Sequence, residues 1–143
     1  MYARLLVVLT VLGFASGAWA QQDKDDKQLL DGTWVPVTAE LGGQKLALGG
    51  TKLVLAGGKY KLLSGETVTD QGAIVVDPEK KPKAMDVKGE EGPNKGKTFP
   101  AIYELKEDSL TICYDLDGKQ RPTEFKTSKD TKLFLVTYKR SKS

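Results

Sequence analysis

The chain has 143 residues, with 22 Lys and Arg against 19 Asp and Glu, a net charge of +3, one cysteine and no histidine. Without histidine the commonest general base, the commonest zinc ligand and every Ser-His or Cys-His pair are excluded, and with Cys113 alone no intrachain disulfide can form. The lysines are scattered among acids rather than gathered on one face, which argues against nucleic acid as a partner.

The chain opens on a short positive start, Met1-Tyr2-Ala3-Arg4, followed by an almost unbroken apolar run over 5–15 and the small-residue site Ala18-Trp19-Ala20. This is the pattern of a secretory signal peptide, residues 1–20, cleaved after Ala20. The run is short for a bilayer, which takes about 20 apolar residues, so no membrane span is expected in the mature chain. Loss of Arg4 leaves 21 Lys and Arg against 19 Asp and Glu, a net charge of +2. Residues 21–31 read as a polar leader ending in a helical turn at Gln28-Leu29-Leu30-Asp31. From Gly32 the chain reads as strands punctuated by turn residues. The expected strands cover 33–41, 51–56, 59–64, 67–77, 83–88, 99–106, 109–116, a short eighth at 122–127, and 132–140, with a tail at 141–143. Asp117-Gly118 is the signal of a two-residue hairpin.

Many short strands about 8–12 residues apart, joined by tight turns, predict an all-β fold: an antiparallel up-and-down β-barrel of about eight to nine strands. Closure of such a sheet removes its edges. Alternation puts Tyr60 with Leu62, and Leu110 with Ile112 and Tyr114, each on one face. The last strand is apolar on both faces, Phe134/Val136/Tyr138 and Leu133/Leu135, which predicts cover on both sides.

Gly32-Thr33-Trp34 at the entry to the first strand, with Tyr138-Lys139-Arg140 closing the last, resembles the signature of lipocalin-type barrels, which implies that Trp34 plugs one end and Arg140 packs over it. A guanidinium on an indole gains about 0.5–2 kcal/mol. Barrel closure is thus assigned to Gly32, Trp34 and Arg140. At closer range, residues 28 to 140 resemble a group of small exported lipocalin-like domains of planctomycete bacteria. The resemblance rests on Leu30-Asp31-Gly32-Thr33-Trp34, Lys81-Pro82-Lys83-Ala84-Met85-Asp86, 91–98, Ile102-Tyr103-Glu104-Leu105, Ile112-Cys113-Tyr114 and Arg121-Pro122-Thr123-Glu124-Phe125. It implies a lipocalin-like barrel in the cell envelope or outside the cell, and no catalytic residues. Pro36 interrupts the first strand and calls for a bend or an edge.

Other constellations read as structural. Gly92-Pro93-Asn94-Lys95-Gly96-Lys97-Thr98 is one residue short of a phosphate loop and precedes a strand rather than a helix, so it reads as a turn at the barrel mouth. Asp115-Leu116-Asp117-Gly118 lacks the remaining acids of a calcium loop. Arg121 has a bidentate partner among nearby acids such as Glu104 or Asp86, fixing the short strand, or receives an anion at the rim. Cys113, with no base beside it, reads as a small buried residue. No catalytic, metal or cofactor set emerges. The expectation is a secreted or periplasmic, monomeric, non-enzymatic binding protein for a small apolar or amphipathic ligand, lined by Trp34, Thr38, Tyr60, Leu62, Met85, Tyr103 and Leu110. The alternative is an envelope protein-interaction module with a filled barrel.

Overall fold

The computed structural model describes residues 25–142; the expected signal peptide with its expected cleavage site after Ala20, the start of the polar leader and Ser143 lie outside the described residues. A five-residue helix, α1 (Asp26–Leu30), is capped by the Asp25 side chain, which accepts from Lys27 N–H. Nine strands follow: β1 (Gly32–Leu41), β2 (Gln44–Lys45), β3 (Thr51–Ala56), β4 (Lys59–Ser64), β5 (Thr67–Asp77), β6 (Lys83–Glu91), β7 (Thr98–Lys106), β8 (Ser109–Asp115) and β9 (Leu133–Arg140). Strands β1 and β3 to β9 pair antiparallel with their neighbours, and β1 pairs with β9 from Trp34↔Arg140 to Leu41↔Phe134. The result is a closed antiparallel eight-stranded barrel of lipocalin-like architecture, with β2 as an extra hairpin strand on the end of β1.

The expected strands at 51–56, 59–64 and 67–77 match β3, β4 and β5 residue for residue. Two expectations fail. The hairpin at Asp117-Gly118 does not form, because the Asp115 carboxylate accepts from the backbone N–H groups of Asp117, Lys119 and Gln120 and turns the chain away from β8. The eighth strand at 122–127 does not form either. Residues 119–132 instead run as an irregular strap across the outside of the barrel. Arg121 pins its start, donating to Met85 O at 3.1 Å, to Ala101 O at 2.9 Å and to Asp86 Oδ1 at 2.7 Å. Its middle covers Cys113, whose Sγ lies 3.7 Å from Lys126 O. Its end is tied to β1 through Thr127 Oγ1, which donates to Glu40 Oε1 at 2.5 Å.

The strap explains why β8 is buried on both faces. Leu110 and Ile112 belong to the inner core, while Cys113, next to Ile102 in the β7–β8 register, is fully buried outside it. Burial pushes the Cys113 thiol pKa up, which keeps it protonated and unreactive.

Pro36 is accommodated by a bulge. On β1 the register against β9 shifts between Pro36 and Thr38, so one extra residue flips the pleat. Trp34 and Ala39 both point inward and are buried, whereas Thr38 is exposed. Strict alternation from Trp34 therefore places Thr38 wrongly, and it faces solvent.

Candidate functional site

The barrel has one filled end and one hollow end. At the filled end Trp34 and Arg140 stand opposite in register, so their side chains leave the sheet on the same face. The Arg140 guanidinium lies 4.3 Å from the centroid of the Trp34 ring. Its nitrogens donate to Asp31 O at 2.7 Å and Leu29 O at 2.8 Å, and Nε lies 3.3 Å from Asp108 Oδ1. Trp34 Nε1 donates to Leu30 O at 2.9 Å. Thus α1 is clamped across the barrel base, with Leu30 fully buried beneath it. Gly32 makes room for the clamp: a Cβ there would stand 2.7 Å from Arg140 Nη1, at φ +145°.

Asp26 adds a second tie, accepting from Tyr103 Oη at 2.7 Å and from Lys83 Nζ at 2.8 Å. Burial works against its charge, but these bonds outweigh it and hold the Asp26 carboxyl below the usual carboxylate range. Burial, then Asp26, raises the Tyr103 hydroxyl pKa far above its ordinary value.

The other half of the barrel encloses a cavity of about 510 Å³. That volume falls within the range of about 300–1,000 Å³ typical of small-molecule sites. Its walls are the inward residues of consecutive strands, among them Leu53, Leu55, Ile74, Val87, Phe99 and Ile112. Tyr114 and Phe134 stack nearby with ring centroids 5.8 Å apart. The sheet is splayed beside β1. Strand β3 pairs with β1 only over Gly32–Trp34, and its first residues pair with β4 alone. Residues 46–50 cross this gap, held by Leu46 N–H to Ala39 O at 2.9 Å, and expose Leu46 and Leu48 to solvent. The loop at 92–97 borders the mouth with Asn94 and Lys97, the position expected of that Gly/Pro/Asn turn.

Two sets of hydrogen-bonded polar side chains interrupt the apolar wall. Asp70, only 5% exposed, shares the inner face of β5 with Ile74. Its Oδ2 accepts from Tyr60 Oη at 3.2 Å and from Asn94 Nδ2 at 2.8 Å, while Oδ1 is buried with no hydrogen-bond partner. Gly72 lets Tyr60 reach it. The two residues face each other across β4 and β5, and a Cβ at Gly72 would come within 2.8 Å of the Tyr60 ring and 1.9 Å of Lys88 O. Burial first, then the charge of Asp70, pushes the Tyr60 pKa up strongly, so its hydroxyl stays a donor. Tyr114 Oη and Tyr138 Oη lie 3.5 Å apart on the opposite wall, and burial raises the Tyr138 pKa to about 12.

Of the residues expected to line a pocket, the structure brings Tyr60, Leu62 and Met85 to the cavity wall. Trp34, Tyr103 and Leu110 are fully buried in the filled end, below the cavity, and Thr38 is outside the barrel. Sequence reasoning missed Asp70. Its signal was an acid on the parity of Ile74 in a strand whose inner face is otherwise small or apolar. Among the described residues no group of three His, Cys, Asp or Glu side chains is placed to hold a metal, and no helix is long and apolar enough to cross a membrane. Comparison with protein-family models, with curated proteins and with solved structures finds no match.

Proposed function

We propose that this protein is an exported, non-enzymatic carrier of the lipocalin-like kind, which holds a small apolar or amphipathic molecule inside its barrel. The observation that carries the reading is the cavity of about 510 Å³ walled by Leu, Ile, Val and Phe side chains and separated from the base by a packed plug. Enclosure of an apolar ligand there removes its surface from water, worth about 25 cal/mol per Å² before the costs of association. The interaction-module alternative presumes a filled barrel, which this volume does not favour. Export is supported by the leader pattern at 1–20, and kinship with the planctomycete exported domains remains part of the proposal.

The test is native mass spectrometry of the chain purified from its own host under non-denaturing conditions. The expected result is an adduct of one small molecule per chain that is released on unfolding. A bare polypeptide mass, together with no saturable uptake of apolar dyes, would contradict the carrier reading.

A further inference from the structure

Asp70 is a buried carboxylate whose bonding is lopsided. A carboxylate offers about four lone-pair sites on its two oxygens. Here both donors, Tyr60 Oη and Asn94 Nδ2, converge on Oδ2, and Oδ1 has none. Neither donor carries charge. The two lysines at the cavity mouth, Lys52 and Lys97, are exposed and neither bonds to Asp70. A buried charge of this kind is costly unless paired or fully hydrogen-bonded, and its surroundings within the protein supply only part of that. Gly92 of the β6–β7 loop packs directly against the unpartnered oxygen, and only a glycine fits there, since a Cβ would stand 3.1 Å from Asp70 Oδ1 and 3.1 Å from Thr69 O. The same loop supplies Asn94, so the carboxylate joins the cavity wall to the segment at its mouth.

We propose that the ligand carries a hydrogen-bond donor head, an ammonium or a hydroxyl, on an apolar body, and that Asp70 receives this head in the cavity. The inference rests on the carrier reading and specifies its ligand class. The apolar body lies against Leu55, Ile74, Val87 and Ile112. Tyr60 and Asn94 hold the carboxylate in place, and a small movement of the mouth loop opens Oδ1 to the head. A carboxylate head is disfavoured, because it would bring a second negative charge to a group that has no cationic partner. An ammonium binds best, through a charge-assisted bond, and an alcohol less well.

The experiment is a calorimetric titration of the folded protein with dodecylamine, dodecanol and dodecanoate, each below its micelle concentration. The expected order of affinity is amine, then alcohol, then acid, with the amine at least about tenfold tighter than the acid, the low end for a hydrogen bond to a charged group. Asp70→Asn abolishes the preference for amine over acid. Tyr60→Phe, which takes one donor off the carboxylate, preserves or sharpens it, so the ranking in wild type and in this variant decides the matter even if Asp70→Asn folds poorly. Acid binding as tightly as amine, or a preference that survives in folded Asp70→Asn, overturns the inference and leaves the carrier reading standing. Saturable binding by none of the three removes the carrier reading, and the inference with it.

Discussion

Single residues decide which end of this barrel is solid. Trp34 is fully buried, is bonded through Nε1 to Leu30 O and is covered by Arg140. Trp34→Ala is therefore expected to destabilise the fold by about 3–5 kcal/mol, the usual range for deleting a large buried aromatic. A urea midpoint unchanged from wild type would refute its role as plug. This residue was legible in the sequence because Gly32-Thr33-Trp34 at a strand entry, with Arg140 at the end of the last strand, resembles the closing signature of lipocalin-type barrels. Thr38 was not legible. The bulge that Pro36 demands adds one residue, and a one-residue slip reverses every side chain beyond it. Asp70 was obscured for a different reason: an acid in a strand reads as solvent-facing, and only the pairing with Tyr60 and Asn94 reveals that it is inside.

At the scale of elements, β2 was not expected and β6 runs on to Glu91 past the expected 88, but the other strands bounded by Gly, Pro and Asp turns were read nearly to the residue, since alternation and turn chemistry are both local. The strap at 119–132 was not, because its conformation is set by partners far along the chain: Met85, Asp86 and Ala101 for Arg121, and Glu40 for Thr127. Of the two acids expected beside Arg121, Glu104 and Asp86, the structure pairs it with Asp86, through a single Nη2–Oδ1 bond rather than the expected bidentate pair, and the pair anchors a strap rather than a strand. Arg121→Met removes all three of these bonds and leaves two carbonyls and a carboxylate to find other donors. The expected loss is about 1–3 kcal/mol. The sharper readout is Cys113, which the strap buries. Its labelling by a thiol reagent under native conditions is expected to accelerate markedly in the variant, with the barrel's circular dichroism unchanged. Labelling as slow as in wild type would show that the strap stays seated without Arg121.

Over the whole molecule the division of labour follows from how the sheet closes. Full-length pairing of β1 with β9 completes the barrel, while the short pairing of β1 with β3 leaves a lateral gap over the hollow half. The base is stiffened by α1, the Trp34–Arg140 stack and the Asp26 ties, so the cavity can remain open without loss of the core beneath it. The central claim is that this hollow half holds the ligand. It is tested most directly by titrating an apolar fluorophore into two variants, Leu62→Trp on the cavity wall and Thr38→Trp on the outer face. Both should fold, with a cost of about 1–3 kcal/mol where the added bulk is crowded. The account predicts that Leu62→Trp loses saturable binding and Thr38→Trp keeps wild-type affinity; equal binding by both folded variants, or loss only in Thr38→Trp, would contradict it.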